Sequence, residues 1–292
     1  MDSINSDNSK IDNEPQPFVL YLVGTPIGNL NDISDRAKNI LKNVSLIACE
    51  DTRRSSVLLK SFKAKTKLIS FHKHNTKSRL MYIKERLNEG KSIALISDAG
   101  MPSICDPGEE LVKFVKDNGY KVISIPGPCA ATTALISSGF DSQRFCFEGF
   151  LPIKRKKRLE ILREISTERK TIIIYESPHK LIELLKDLYD ICDANRLIHI
   201  SRELTKKFEE NITTTLEKAI EIYKKEKPRG EFTIVLKGFE EEKDLEIKSD
   251  YLLSEANNLT SKGYSLSDAI KKISKETGHP KRLIYSLLHK NL

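Results

Sequence analysis

The chain has 292 residues, enough for two domains and a small third at roughly 100–200 residues per domain. Its 39% hydrophobic and 31% charged residues exclude a wholly disordered chain, and no apolar run approaches the ~18 residues of a membrane span. Lys and Arg outnumber Asp and Glu by 49 to 41, a net charge of +8; this suits an anionic partner such as nucleic acid, and suits a solvated basic surface equally well. Residues 1–17 show neither the basic start nor the apolar stretch of a secretory signal and read as a disordered tail. Cys49, Cys105, Cys129, Cys146 and Cys192 are odd in number and have no CxxC spacing. They fit neither a disulfide framework nor a zinc site, and point to a reducing, cytoplasmic setting.

From Phe18 onward, short apolar or β-branched runs alternate with helical periodicity, the pattern of an α/β fold. FVLYLVG (18–24) reads as a buried strand. Asp32 or Ser34 can cap the next helix, which places Ile33, Ala37, Ile40, Leu41 and Val44 on one face. SLIACE (45–50) and LISF (68–71) are further strands, and SRLMYIKERLNEG (78–90) is a helix closed by Gly90. SIALISDAG (92–100) is a strand entering a turn-rich loop, EELVKFVKDNG (109–119) a helix closed by Gly119, and KVISIPGPCA (121–130) a strand feeding a helix over 131–140. The composition changes after Phe140. A basic helix over 154–165 is followed by a strand at 171–177, a helix at 179–191, a strand at 196–204, a helix at 215–227 and a strand at 230–239. This predicts α/β domains over 18–145 and 146–240, a charged linker over 241–249 and a helical domain over 250–292. In the last, helices over 265–278 and 279–290 flank a turn at Gly278, as in a helix-turn-helix.

Ligands of α/β sheets bind beyond the carboxyl ends of the strands, and there the chain carries three loops of small residues. Gly24–Leu30 lacks both the GxGxxG of a dinucleotide fold and the GK[ST] of a P-loop. Alone it reads equally as an ordinary tight turn. Ser97–Gly108 and Pro126–Ala130 follow two later strands, and together the three would line one cleft with exposed backbone groups. None contains Lys or Arg, so a ligand with a nucleoside and a zwitterionic head fits better than a phosphate ester. Asp98 or Asp106 can accept from ribose hydroxyls or an ammonium; one of them suits an Asx-turn instead.

LYLVGTPIGNLNDIS, ACEDTRRS, SFHKHN, ALISDAGMPSICDPGEEL, IPGPCAATTALISSGF, FEGFLPIK and YESPHKL occur in this order over residues 18–240. With them the chain resembles the ribosomal small-subunit RNA cytidine 2′-O-methyltransferases of the tetrapyrrole methylase superfamily. The resemblance implies the class III methyltransferase fold, two α/β domains with S-adenosyl-L-methionine folded into the cleft between them, and a homodimer. It implies methyl transfer to a cytidine ribose 2′-oxygen in the decoding region of 16S RNA within the small ribosomal subunit. The implied cofactor ledge is Pro26; Ser97, Asp98, Ala99, Gly100, Pro102, Ile104 and Asp106; Pro126, Gly127, Pro128 and Ala130; and Tyr175 with Glu176.

A ribose hydroxyl is a weak acid, so a base or an oxyanion-stabilising cation assists its attack. Glu50 and Asp51 at a strand end are candidate bases, with Arg53 gripping phosphate and Arg54 beside it; an Asp–Arg ion pair that merely shapes the turn is the equal alternative. His72, His74 and Asn75 read as RNA contacts, with His72 a further candidate base, and their number is too small for a metal site. Lys154, Arg155, Lys156, Lys157 and Arg158 form the densest basic run, an RNA-phosphate surface or a solvated helix face. In the tail Lys271, Lys272, Lys275, Lys281, Arg282 and Tyr285 suit a docking arm, with Ile270, Ile273, Leu283 and Leu287 as its core. Two other functions stay open: methylation of a tetrapyrrole or corrin precursor, and a non-catalytic RNA-binding assembly factor.

Overall fold

A computed structural model describes residues 14–192, 194–225, 227–240, 249–277 and 284–285. Most of the expected tail over 1–17, the linker residues 241–248 and nearly all of the helix expected over 279–290, with Gly278, Lys281, Arg282, Leu283 and Leu287, lie outside the described residues. The chain divides into compact units at Met1–Phe239 and Glu240–Leu292.

The first unit carries two five-stranded sheets. In the first, β1 (Val19–Val23), β2 (Leu46–Cys49), β3 (Leu68–Ser70), β4 (Ile93–Ile96) and β5 (Lys121–Ile125) are arranged β3-β2-β4-β1-β5. Every pairing is parallel, so all five strands deliver their following loops to the same edge. Helices α1 (Asp35–Asn43), α2 (Thr52–Ser61), α3 (Thr76–Asn88) and α4 (Glu109–Asp117) connect them. Alternate residues of β1 enter opposite cores: Val19, Tyr21 and Val23 pack with Ile40, Leu41 and Ile47, whereas Leu20 packs with Ile83, Leu87 and Leu111. That two-sided burial explains why these strands read as unbroken apolar runs. Ser34, not Asp32, caps α1 by accepting from the Ala37 N–H at 3.1 Å, and the predicted apolar face of α1 is buried throughout.

The second sheet is mixed, with order β6-β7-β10-β8-β9 for β6 (Phe145–Phe150), β7 (Thr171–Glu176), β8 (Leu197–Arg202), β9 (Glu210–Thr215) and β10 (Phe232–Leu236). Only β6 and β7 pair in parallel; β10 runs antiparallel to β7 and β8, and β8 to β9. Helices α6 (Arg155–Thr167), α7 (Leu181–Ile191) and α8 (Leu216–Lys225) bury one face. The other face is packed by α5 (Ala130–Ser138), which leaves the last loop of the first sheet and sets Ala131, Ala134 and Leu135 against Ile173 and Val235. That helix ties the two sheets together.

Three elements escaped the sequence reading, one being strand β6, Phe145–Phe150. Helix α2 buries only Ser55 and Leu59, too short a stripe for a clear period. Strand β9 is the polar edge ENITTT, with few apolar residues to announce it. The second unit contains α9 (Ser249–Ser261) and α10 (Leu266–Thr277), with Leu252, Ala256, Leu259, Ile270, Ile273 and Ile284 as its core. No described helix is long and apolar enough to cross a membrane.

Candidate functional site: a cleft at the edge of the parallel sheet

The three small-residue loops are knitted together at the carboxyl edge of the first sheet. Thr25 and Gly100 exchange backbone hydrogen bonds of 2.9 and 3.1 Å, and the Gly24 N–H donates to the Ile125 carbonyl at 3.1 Å. Gly24 and Gly127 approach so closely that a Cβ on Gly24 would sit 2.6 Å from the Gly127 Cα. Only glycine at both positions allows this contact.

These loops and the facing ends of β7 and β10 enclose a cleft of about 370 Å³, within the roughly 300–1,000 Å³ typical of small-molecule sites. Of the predicted ledge, Asp98, Ala99, Gly100, Ile104, Asp106, Ala130, Tyr175 and Glu176 line it. Pro26, Ser97, Pro102, Pro126, Gly127 and Pro128 are not among its lining residues. Ser97 and Gly127 instead brace the loops, Ser97 by accepting at its carbonyl from the Thr25 hydroxyl at 3.2 Å. The wall also contains Ile27, Met101, Cys105 and Phe150, the Ser177–Pro178 turn, and Glu231, Phe232 and Thr233. Sequence reading missed this last group for a topological reason: β10 is antiparallel to β7, so its first residue, Phe232, lies beside Glu176 at the end of β7. The alternation of strands and helices gives no sign of that reversal.

Acidic groups gather on one side of the cleft. Burial pushes the Asp106 carboxyl above its usual range against the hydrogen bond it accepts from Ser97, and the charge of Asp98 adds to the rise. The Glu50 carboxyl, exposed and not among the cleft's lining residues, is raised too, first by desolvation and then by Asp106 and Asp98, with His72 and Lys73 opposing. Asp98 accepts from the Asp51 N–H at 3.2 Å and pairs with Arg54 at 3.3 Å. On the opposite wall the Tyr175 hydroxyl accepts from the Ala131 N–H at 3.0 Å, and burial drives its phenol well above the usual range.

Asp51 and Arg53 form the ion pair that is one of the two equal readings of this turn. Asp51 is the N-cap of α2, accepting from the Arg53 N–H at 2.8 Å, and its two oxygens also hold the Arg53 guanidinium at 3.1 and 2.8 Å. These hydrogen bonds pull its pKa down to about 2, the wrong direction for a base near neutral pH. The geometry favours the turn-shaping ion pair over proton acceptance by Asp51 and a phosphate grip by Arg53. Asn75 is likewise occupied by its own loop: its Oδ1 accepts from the His72 N–H at 2.9 Å and its Nδ2 donates to the Ser70 carbonyl at 3.1 Å. His72 and His74 pack edge to face, with ring centroids 5.9 Å apart.

The basic run divides. Arg158 is 1% exposed and ion-pairs with Asp187 and Glu183 of α7, so it is a core group and not an RNA contact. Helical spacing carried the overlooked signal, since Arg158 falls on the i, i+4, i+7 stripe with the buried Leu162 and Ile165. Arg155 reaches Asp187 at 3.2 Å while remaining largely exposed, and Lys154 is exposed. Among the described residues no group of three or more His, Cys, Asp or Glu side chains could hold a metal ion.

A parallel α/β sheet whose loops meet a second, mixed sheet across a cleft is an architecture shared with solved methyltransferases. One is uroporphyrin-III C-methyltransferase from Thermus thermophilus, solved with S-adenosyl homocysteine, which aligns with a TM-score of 0.52 over 74% of this chain and 96% of that one at 16% identity. The model of the tetrapyrrole (corrin/porphyrin) methylases matches residues 19–220, and the chain belongs to that family; it is a methyltransferase. Two relatives are both named ribosomal RNA small subunit methyltransferase I. The Synechocystis protein is 42% identical over 92% of this chain and 96% of its own length, and the Bacillus subtilis protein 43% identical over 93% and 94%.

Proposed function

We propose that the chain transfers a methyl group from S-adenosyl-L-methionine to the 2′-oxygen of a cytidine in the decoding region of 16S ribosomal RNA. The observation that carries this reading is the cleft, whose lining combines the apolar Ile27, Met101, Ile104 and Phe150 with the carboxylates Asp98, Asp106 and Glu231. That lining suits the cofactor, because a flat adenine prefers apolar walls while ribose hydroxyls and an ammonium need carboxylate acceptors. The relatives named for ribosomal RNA support the substrate class.

When bound, S-adenosyl-L-methionine supplies a methyl already activated by its sulfonium, so the protein chiefly has to align the incoming oxygen. Glu50 takes the hydroxyl proton. It stands beside Asp98 and Asp106, and its raised pKa brings it closer to the working pH than an ordinary carboxylate. Asp51 holds the turn that presents Glu50. Arg54, His72, His74, Lys154 and Arg155 lie outside the cleft lining and contact the RNA. A homodimer in the cytoplasm belongs to the same reading, and sedimentation of the purified chain tests the dimer.

Tritium transfer from methyl-labelled cofactor tests the function. Label should enter small ribosomal subunits or their RNA and not a tetrapyrrole precursor. Label in the tetrapyrrole alone would overturn the substrate class, and absence of cofactor binding would leave only an RNA-binding protein.

A further inference from the structure

A second cavity of about 340 Å³ lies behind the cleft, on the α8 side of the second sheet. Its floor is built by register. Phe232 on β10 sits directly opposite Arg202 on β8, and Arg202 directly opposite Glu210 on β9, so the three side chains form a row across one face. Ile212, two residues beyond Glu210, joins them. From α8 the Tyr223 ring meets Phe232 edge-on at 5.7 Å, and Lys227, Pro228 and Arg229 complete the wall.

Two features of this cavity are unsatisfied. Tyr223 is only 6% exposed, yet its hydroxyl has no hydrogen-bond partner, a cost of roughly 1–3 kcal/mol for a buried polar group. Burial pushes the phenol up to about 12, so it keeps its proton as a donor. The cavity also holds three cations against one carboxylate. Glu210 pairs with Arg202 at 3.2 Å, and Arg202 Nε donates to the Arg229 carbonyl at 2.8 Å. Among the described residues Lys227 and Arg229 have no ion-pair partner.

We infer that this cavity is a phosphate-binding site, in which Arg229, Lys227 and the Tyr223 hydroxyl donate to phosphate oxygens. Phosphate fits better than a carboxylate because the lining supplies the exposed cations Lys227 and Arg229 together with a buried neutral donor, matching a group with several acceptor oxygens. Phe232 lines both this cavity and the cleft, so the bound phosphate sits one side chain away from the methyl-transfer site. The phosphate comes either from the backbone of the RNA substrate, which rests on the function proposed above, or from a free phosphate-bearing small molecule.

The full-length chain, prepared in phosphate-free buffer, is titrated with inorganic phosphate while its melting temperature is followed, alongside Tyr223→Phe and the double variant Lys227→Ala/Arg229→Ala. Wild type should show a saturable rise, and the double variant should bind phosphate about tenfold or more weakly, the loss expected for charged hydrogen bonds. Tyr223→Phe should melt no lower than wild type without phosphate and gain less from it. RNA kinetics then separate the sources. A raised KM for RNA at unchanged kcat in the double variant assigns the site to the RNA backbone; an unchanged KM with lost phosphate binding assigns it to a free phosphate compound. If neither the phosphate titration nor the RNA KM distinguishes the double variant from wild type, the inference is wrong. A wild type that binds phosphate but methylates no RNA overturns the proposed substrate and leaves the site standing.

Discussion

Replacing Arg158 with Ala separates a structural role from RNA binding most sharply. Its guanidinium Nε and Nη2 reach Asp187 Oδ2 at 2.9 and 2.6 Å, and the same Nη2 also meets Glu183. The Arg158 and Asp187 side chains are 2% and 3% exposed. Truncating one member of such a pair strands a buried charge, at a cost of roughly 3–5 kcal/mol. Arg155 at 3.2 Å remains as a partial partner for Asp187, which places the loss at the lower end of that range. At about 2–4 °C per kcal/mol for a domain of this size, the melting temperature should fall by roughly 6–12 °C. Thermal unfolding by circular dichroism measures this, and an RNA filter-binding assay well below the transition should find affinity near wild type. Pairing Arg158→Met with Asp187→Leu should recover most of the loss, because a buried ion pair replaced by apolar groups of similar size is often neutral. A melting temperature within about 2 °C of wild type, or an RNA affinity that falls while the fold stays intact, would refute the assignment.

Other substitutions address the cleft. Glu50→Gln should lower kcat by about 10²–10⁴-fold, the usual share of a general base. In wild type, kcat/KM should climb with pH through an apparent pKa above the ordinary carboxylate value, as the raised carboxyl of Glu50 ionises; that limb should vanish in the variant. Asp51→Asn should retain turnover but melt lower. Its depressed pKa means that the stabilisation from Asp51 is fully present above the normal carboxylate range and is lost as the pH falls toward about 2, so acid-unfolding curves of variant and wild type should converge there. Gly127→Ala would place a Cβ 2.7 Å from the Gly24 Cα; overpacking of about 1–3 kcal/mol should weaken cofactor binding roughly 5- to 150-fold, read by calorimetry. RNA affinity should drop steeply with added salt, and Lys154→Ala/Arg155→Ala should flatten that slope.

The parallel sheet was legible because its inner strands β1, β2 and β4 are buried almost throughout, while the edge strand β5 ends in a buried Ile125, and because its loops depart from helix and strand composition. Hence β1, β2, β4 and β5 and the carboxylates of the 97–108 loop were all placed from residues alone. The far wall was only half legible. Tyr175 and Glu176 follow a strand in the ordinary order, whereas Glu231, Phe232 and Thr233 enter the cleft from the beginning of an antiparallel strand. Charge misled more than hydrophobicity did. Arg158 stands in a run of five basic residues, and its only local mark is that it shares a helical stripe with the buried Leu162 and Ile165, where Asp187 and Glu183 of α7 meet it. Similarly, EDTRR reads as two acids and two bases, and only the cap of α2 shows that Asp51 and Arg53 satisfy each other while Glu50 stays apart.

Methyl transfer to a ribose oxygen of small-subunit RNA is read most directly by mass spectrometry of nucleosides released from small ribosomal subunits incubated with the chain and S-adenosyl-L-methionine. Wild type should yield 2′-O-methylcytidine, and Glu50→Gln should not. A methyl group found on a base, or RNA left unmodified while a tetrapyrrole precursor gains mass, would contradict ribose methylation.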